Sequence, residues 1–128
     1  MTMTILSSTN NASVYGYRYT GKYVGGFIGG VSGEINMTII KSINNGNIAG
    51  DYAGGFVGSV SLLDSNSIVL GVMNSANRGS VSAYKMACGF LCVGSNVTTM
   101  MKNSINKGSV NAGTNGYGIT NIITVARN

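Results

Sequence analysis

The chain has 128 residues, a net charge of +5 and only 9% charged residues, with 20 glycines, no proline and no histidine. That length predicts a single domain with room for a core. The 44% hydrophobic content excludes a disordered linker, and the missing histidine removes the commonest general base and metal ligand.

The chain opens on Met1-Thr-Met-Thr-Ile-Leu-Ser-Ser8. It lacks the basic start and long apolar run of a signal peptide, and no apolar run in the chain approaches a membrane span. Asn10-Asn-Ala-Ser-Val-Tyr-Gly16 then introduces a rung that returns as Asn44-Asn-Gly-Asn-Ile-Ala-Gly50, Asn77-Arg-Gly-Ser-Val-Ser-Ala83 and Asn106-Lys-Gly-Ser-Val-Asn-Ala112. The leading asparagines are spaced by 34, 33 and 29 residues. A second segment follows each rung: Gly26-Phe-Ile-Gly29, Gly55-Phe-Val-Gly58, Gly89-Phe-Leu-Cys92 and a decayed Gly118-Ile-Thr-Asn121. A third leads into each new asparagine: Met37–Ile43, Ser67–Met73 and Val97–Asn103. Extra residues, such as Tyr17 to Gly21 in the first copy, fall between segments.

A period near 30 residues raises the possibility of a helical solenoid. Glycine at this density, costing about 0.8–1 kcal/mol per helical position, excludes it. Short Val, Ile and Thr runs punctuated by Asn-Gly and Gly-Gly predict strands and turns. The expected fold is all-β: a short, right-handed parallel β-helix of about four coils with three strands per coil. In that fold each residue lies over its counterpart one repeat later. Phe27, Phe56 and Phe90 then form an interior aromatic column, continued by Ile119. Val14, Ile48, Val81 and Val110 form a β-branched column, and Asn10, Asn44, Asn77 and Asn106 a hydrogen-bonded amide column. Gly46, Gly79 and Gly108 stand two residues beyond the asparagine, where a tight bend is expected to need positive φ; the first copy has Ala12 there.

The Asn-x-Gly-x-Val-x-Gly/Ala rung followed by Gly-Gly-Phe-x-Gly resembles the GLUG-type repeats of large surface proteins, with Phe in place of the Leu that names the repeat. The resemblance covers the chain from about residue 10 to its end. It implies a non-catalytic structural or adhesive module of a cell-surface or secreted protein, and carries no catalytic residues to transfer.

The chain stops while entering another rung, at Thr120–Asn128, so the single repeat domain over 1–128 is expected to be a fragment of a longer array, or a chain that covers its ends by self-association. Glu34, Asp51 and Asp64 fall in different coils and in inter-strand segments, which does not supply the paired carboxylates of a glycosidase; the chain is read as no enzyme. No metal or other cofactor is expected, since Cys88 and Cys92 cannot complete a zinc site alone. An extended strand would hold the two cysteines about 13 Å apart, beyond the reach of a disulfide unless the strand bends sharply; they are read as small, buried substitutes for the glycines of the earlier copies, with a disulfide as the alternative. The Gly25–Gly30 loop lacks the lysine and helix of a phosphate cradle. The cations are scattered from Arg18 to Arg127, which argues against nucleic acid as a partner. Arg78 and Lys107, in one column with Asn11 and Asn45, are read as a solvated face, with a host or glycan surface as a further partner. The alternative to the structural module is a carbohydrate-binding or carbohydrate-active β-helix, supported only by Tyr15, Tyr17, Tyr19 and Tyr23. Those tyrosines serve equally as a cap over the first coil.

Overall fold

A computed structural model of the chain describes residues 2–16, 23–32, 35–61, 68–93, 97–112 and 118–120. The described residues form strands and no helix. In chain order these are β1 (Thr2–Leu6), β2 (Thr9–Asn10), β3 (Val14–Tyr15), β4 (Tyr23–Gly25) and β5 (Ile28–Ser32). The next repeat supplies β6 (Asn36–Ile40), β7 (Ile43–Asn44), β8 (Ile48–Gly54) and β9 (Val57–Ser61). A third supplies β10 (Ile68–Met73), β11 (Ala76–Asn77), β12 (Val81–Cys88) and β13 (Leu91–Val93). The last contributes β14 (Val97–Lys102), β15 (Ile105–Asn106), β16 (Val110–Ala112) and β17 (Gly118–Thr120).

Every pairing is parallel and joins one repeat to the next. One sheet runs β1-β6-β10-β14, a second β15-β11-β7-β2, a third β16-β12-β8-β3 with β4 and β17 attached, and a fourth β13-β9-β5. This arrangement is compatible with a β-solenoid. The first three repeats are therefore each divided among four sheets, where the sequence suggests three strands. The extra division comes from the two-residue strand that ends on the repeated asparagine, which separates from the preceding run at a sharp bend. The residue at that bend has positive φ in all four repeats: Ser7 (48°), Lys41 (51°), Asn74 (52°) and Asn103 (51°).

Alternation builds the core. In β6, Met37 and Ile39 are buried while Asn36 is exposed, as expected of a strand with one apolar face. They join Leu70, Val72 and Met101 of the same sheet, Val57, Val60 and Leu91 of the fourth sheet, and Phe56 and Phe90 in one cluster. Ile48, Val81, Val24 and three alanines of the third sheet form a second cluster. Among the described residues, no helix is long and apolar enough to cross a membrane.

Candidate functional site

The repeated residues meet in the registers that a stack requires. Asn10 pairs with Asn44, Asn44 with Asn77 and Asn77 with Asn106. The Nδ2 of each donates to the Oδ1 of the next, at 2.8, 2.7 and 2.6 Å. The second amide hydrogen goes to the backbone carbonyl two residues on: Ala12, Gly46, Gly79 and Gly108 in turn. Asn44 and Asn77 are fully buried, so this double use of each amide offsets the cost of desolvating it. Among the described residues, every buried side-chain nitrogen and oxygen has a hydrogen-bond partner.

A serine column runs beside the amides. Ser8, Ser42 and Ser75 each donate a backbone N–H to the Oγ of the serine one repeat later, at 3.1, 3.1 and 3.2 Å. Each hydroxyl, including that of Ser104, donates to the carbonyl two residues back. Sequence reasoning passed over this column, although Ser-x-Asn precedes every turn.

The aromatic column also forms, with ring centroids 4.9 Å apart for both Phe27–Phe56 and Phe56–Phe90. The expected continuation at Ile119 does not hold: Ile119 stands in register with Ala87, three residues before Phe90, and extends the Val24–Ala53–Ala87 row instead. Val14, Ile48, Val81 and Val110 pair in register as one column.

The turn glycines have a different reason from the one expected. None of Gly46, Gly79 and Gly108 has positive φ. A Cβ on Gly46 would overlap the carbonyl of Ala12, one on Gly79 that of Gly46, and one on Gly108 that of Gly79. The turns nest too closely for any side chain. Ala12 fits because it begins the column. Gly55 obeys a similar rule, since its Cβ would strike the Gly89 carbonyl and the Asn77 amide across the interior.

Cys88 and Cys92 are joined in a disulfide across a Cα separation of 5.4 Å, so the alternative reading holds and the pair does more than fill a column. The chain is not extended between them: it bends at Gly89-Phe90, between β12 and β13. Cys88 does occupy the register position of Gly54 and is buried, as is Cys92. Asp51 also departs from expectation. It sits inside β8 and is fully buried, whereas Glu34 and Asp64 lie outside the described residues. Among the described residues, no group of three or more potential His, Cys, Asp or Glu ligands comes together.

The outward face of the third sheet holds a depression of about 390 Å³. Its lining consists of two rows in register, Ala49–Ser82–Asn111 and Gly50–Ala83–Ala112, with Gly16 and Tyr84 at the margins. The rows repeat at the ordinary parallel-strand spacing of about 4.8 Å, so the depression crosses three repeats. At its border β12 bulges: Tyr84 and Lys85 together stand opposite the single residue Asp51. Beyond the bulge Tyr23 pairs with Tyr52, ring centroids 5.1 Å apart, and the Lys85 Nζ lies 5.6 Å from the Tyr52 ring centre. Tyr15 and Tyr23 are 70% and 51% exposed; Tyr17 and Tyr19 lie outside the described residues. On the second sheet's outer side, Asn45 donates to Asn11 at 2.8 Å, and Arg78 and Lys107 continue that exposed column.

No protein-family model, curated protein or solved structure matches the chain.

Proposed function

We propose that the chain is a non-catalytic structural or adhesive repeat module of a surface or secreted protein, related to GLUG-type arrays. In this reading it is wound as a right-handed parallel β-helix of about four coils, with the first three each taking a segment from all four sheets. Right-handedness follows the general preference of parallel crossover connections. One observation carries the functional reading: the residues that repeat point inward, while the outward rows change from repeat to repeat. Asn, Ser and Phe recur inside the stack; outside, one row reads Asn11, Asn45, Arg78, Lys107 and another Tyr15, Ala49, Ser82, Asn111. Such a pattern keeps a scaffold constant and leaves its surface open to variation. The disulfide adds support for an extracellular setting, because such bonds persist mainly in oxidising compartments.

The groove favours carbohydrate binding as a second reading. Its floor of Gly and Ala admits close approach, Ser82 and Asn111 supply hydroxyl and amide groups, and the tyrosines beside it suit stacking against apolar sugar faces. One experiment separates the readings. Soluble polysaccharides are incubated with the chain and assayed both for retention and for release of reducing ends. Retention lost in Ser82→Trp, without chain cleavage, supports a binding groove on a non-catalytic module. Retention unchanged by Ser82→Trp, or its absence, returns the groove to a purely structural role. Release of reducing ends that Asp51→Asn abolishes would overturn the non-catalytic reading.

A further inference from the structure

Folding gathers cations that the sequence spreads out. Among the described basic residues, Lys41, Arg78, Lys102 and Lys107 flank the short strands of the second sheet, while Lys85 lies in the third. We infer that this flanked strip is a binding face for a linear sulfated polysaccharide.

The positions follow from the registers. Asn44, Asn77 and Asn106 stand in line, and the rung continues one residue further. Arg78 donates its N–H to the Asn44 carbonyl and Lys107 to that of Asn77. Arg78 and Lys107 are therefore neighbours in one row, at the strand spacing of about 4.8 Å. Lys41 occupies the bend before β7, and Lys102 ends β14 just before the corresponding bend at Asn103. From Lys102 to Lys107 the chain spans no more than about 18 Å, so both margins of the strip lie within reach of one extended polymer. All four cations are exposed.

Charge makes the strip a place for an anion. Arg78 and Lys107 lie within the screening length of about 8 Å at physiological salt, and like charges in adjacent strands repel. Among the described residues no carboxylate relieves them, because Asp51 is buried in β8 of the third sheet. An external anion shared by the two removes that repulsion.

The surrounding groups select the kind of anion. Exposed amides continue the same rows: Asn11 and Asn45 precede Arg78, and Asn74 and Asn103 follow Lys41. The 2.8 Å bond from Asn45 to Asn11 shows that side chains of the first row stand side by side. Amides bond sugar hydroxyls in either direction, while guanidinium and ammonium groups donate to charged oxygens. A sulfate ester offers more acceptor oxygens than a carboxylate, which suits sharing between Arg78 and Lys107. The second sheet's strands carry no aromatic side chain and one exposed large apolar one, Ile105. That composition supplies neither the stacking platforms of a single-stranded nucleic-acid site nor the apolar face of a membrane anchor. The strip lies on a different sheet from the groove and does not depend on it.

The test is biolayer interferometry against immobilised dextran sulfate, with neutral dextran as the uncharged match and circular dichroism to verify folding. Binding to dextran sulfate alone is expected, weakening at least about fivefold between about 0.05 and about 0.3 M salt. Arg78→Ala/Lys107→Ala should weaken it about tenfold, and Lys41→Ala/Lys102→Ala at least about threefold. Lys85→Ala and Ser82→Trp, on the third sheet, should leave it within about twofold. Absence of binding, a comparable loss in Lys85→Ala, or loss in Ser82→Trp would each overturn the proposal. Tighter binding to poly(U) RNA or to phosphatidylserine vesicles at the same salt would do so too.

Discussion

At the scale of single residues, the amide column sets the sharpest expectations. Asn44 accepts from Asn10 and donates to Gly46 and Asn77, so Asn44→Ala strands several buried polar groups at once. It should cost about 3–5 kcal/mol in chemical denaturation. Asn106→Ala, at the half-buried end of the column, should cost about 1–2 kcal/mol. Lys41 holds positive φ on an exposed bend. Asparagine tolerates that conformation and already occupies it at Asn74 and Asn103, so Lys41→Asn should stabilise the chain by about 0.5–1 kcal/mol. The asparagine column was legible in the sequence because one residue type recurs with a glycine at fixed distance. The positive-φ column was not, because Ser, Lys and Asn share no side-chain signature and the backbone alone unites them.

At the scale of elements, the turns matter more than the strands. Gly79→Ala would push a methyl group into the Gly46 carbonyl, and backbone on both sides of the nested turn cannot yield cheaply. That variant should lose more than about 4 kcal/mol or fail to fold. Gly71→Ala is the control: its Cβ would meet only the Thr38 methyl at 3.9 Å, and its stability should stay within about 0.5 kcal/mol of the parent. Repetition showed that these turn glycines mattered, but not whether dihedral freedom or space was the reason; only adjacent turns together reveal the overlap. The disulfide stands as the less favoured reading of the sequence because an extended strand keeps the cysteines apart, while Gly89-Phe90 bends the chain between them. Its closed loop is short, so Cys88→Ser/Cys92→Ser should lower stability by about 2 kcal/mol under oxidising conditions, and denatured, unreduced protein should show no free thiol.

For the whole molecule, stability should be graded along the stack. A repeat in the middle has neighbours on both sides and a terminal one has a neighbour on one side only. Hydrogen exchange should therefore be slowest in β7, β8, β11 and β12 and fastest in β1 and β14; uniform protection would contradict this gradient. The parallel, all-β architecture and its columns were readable from period and residue type, since stacking turns a sequence repeat directly into a spatial row. The groove was not readable. It depends on a bulge opposite Asp51 and on small residues whose alignment becomes meaningful only when the third sheet is assembled.

The parallel rows also have a mechanical consequence. Thr2 begins the first repeat and Thr120 lies in the last, so tension between them pulls along the direction in which the inter-repeat bonds point. Load then falls on one junction at a time rather than on all of them together. A chain anchored at both ends would yield in stages, peeling a repeat from the edge while the remainder keeps its ladder, and would re-form by the same route when the tension drops.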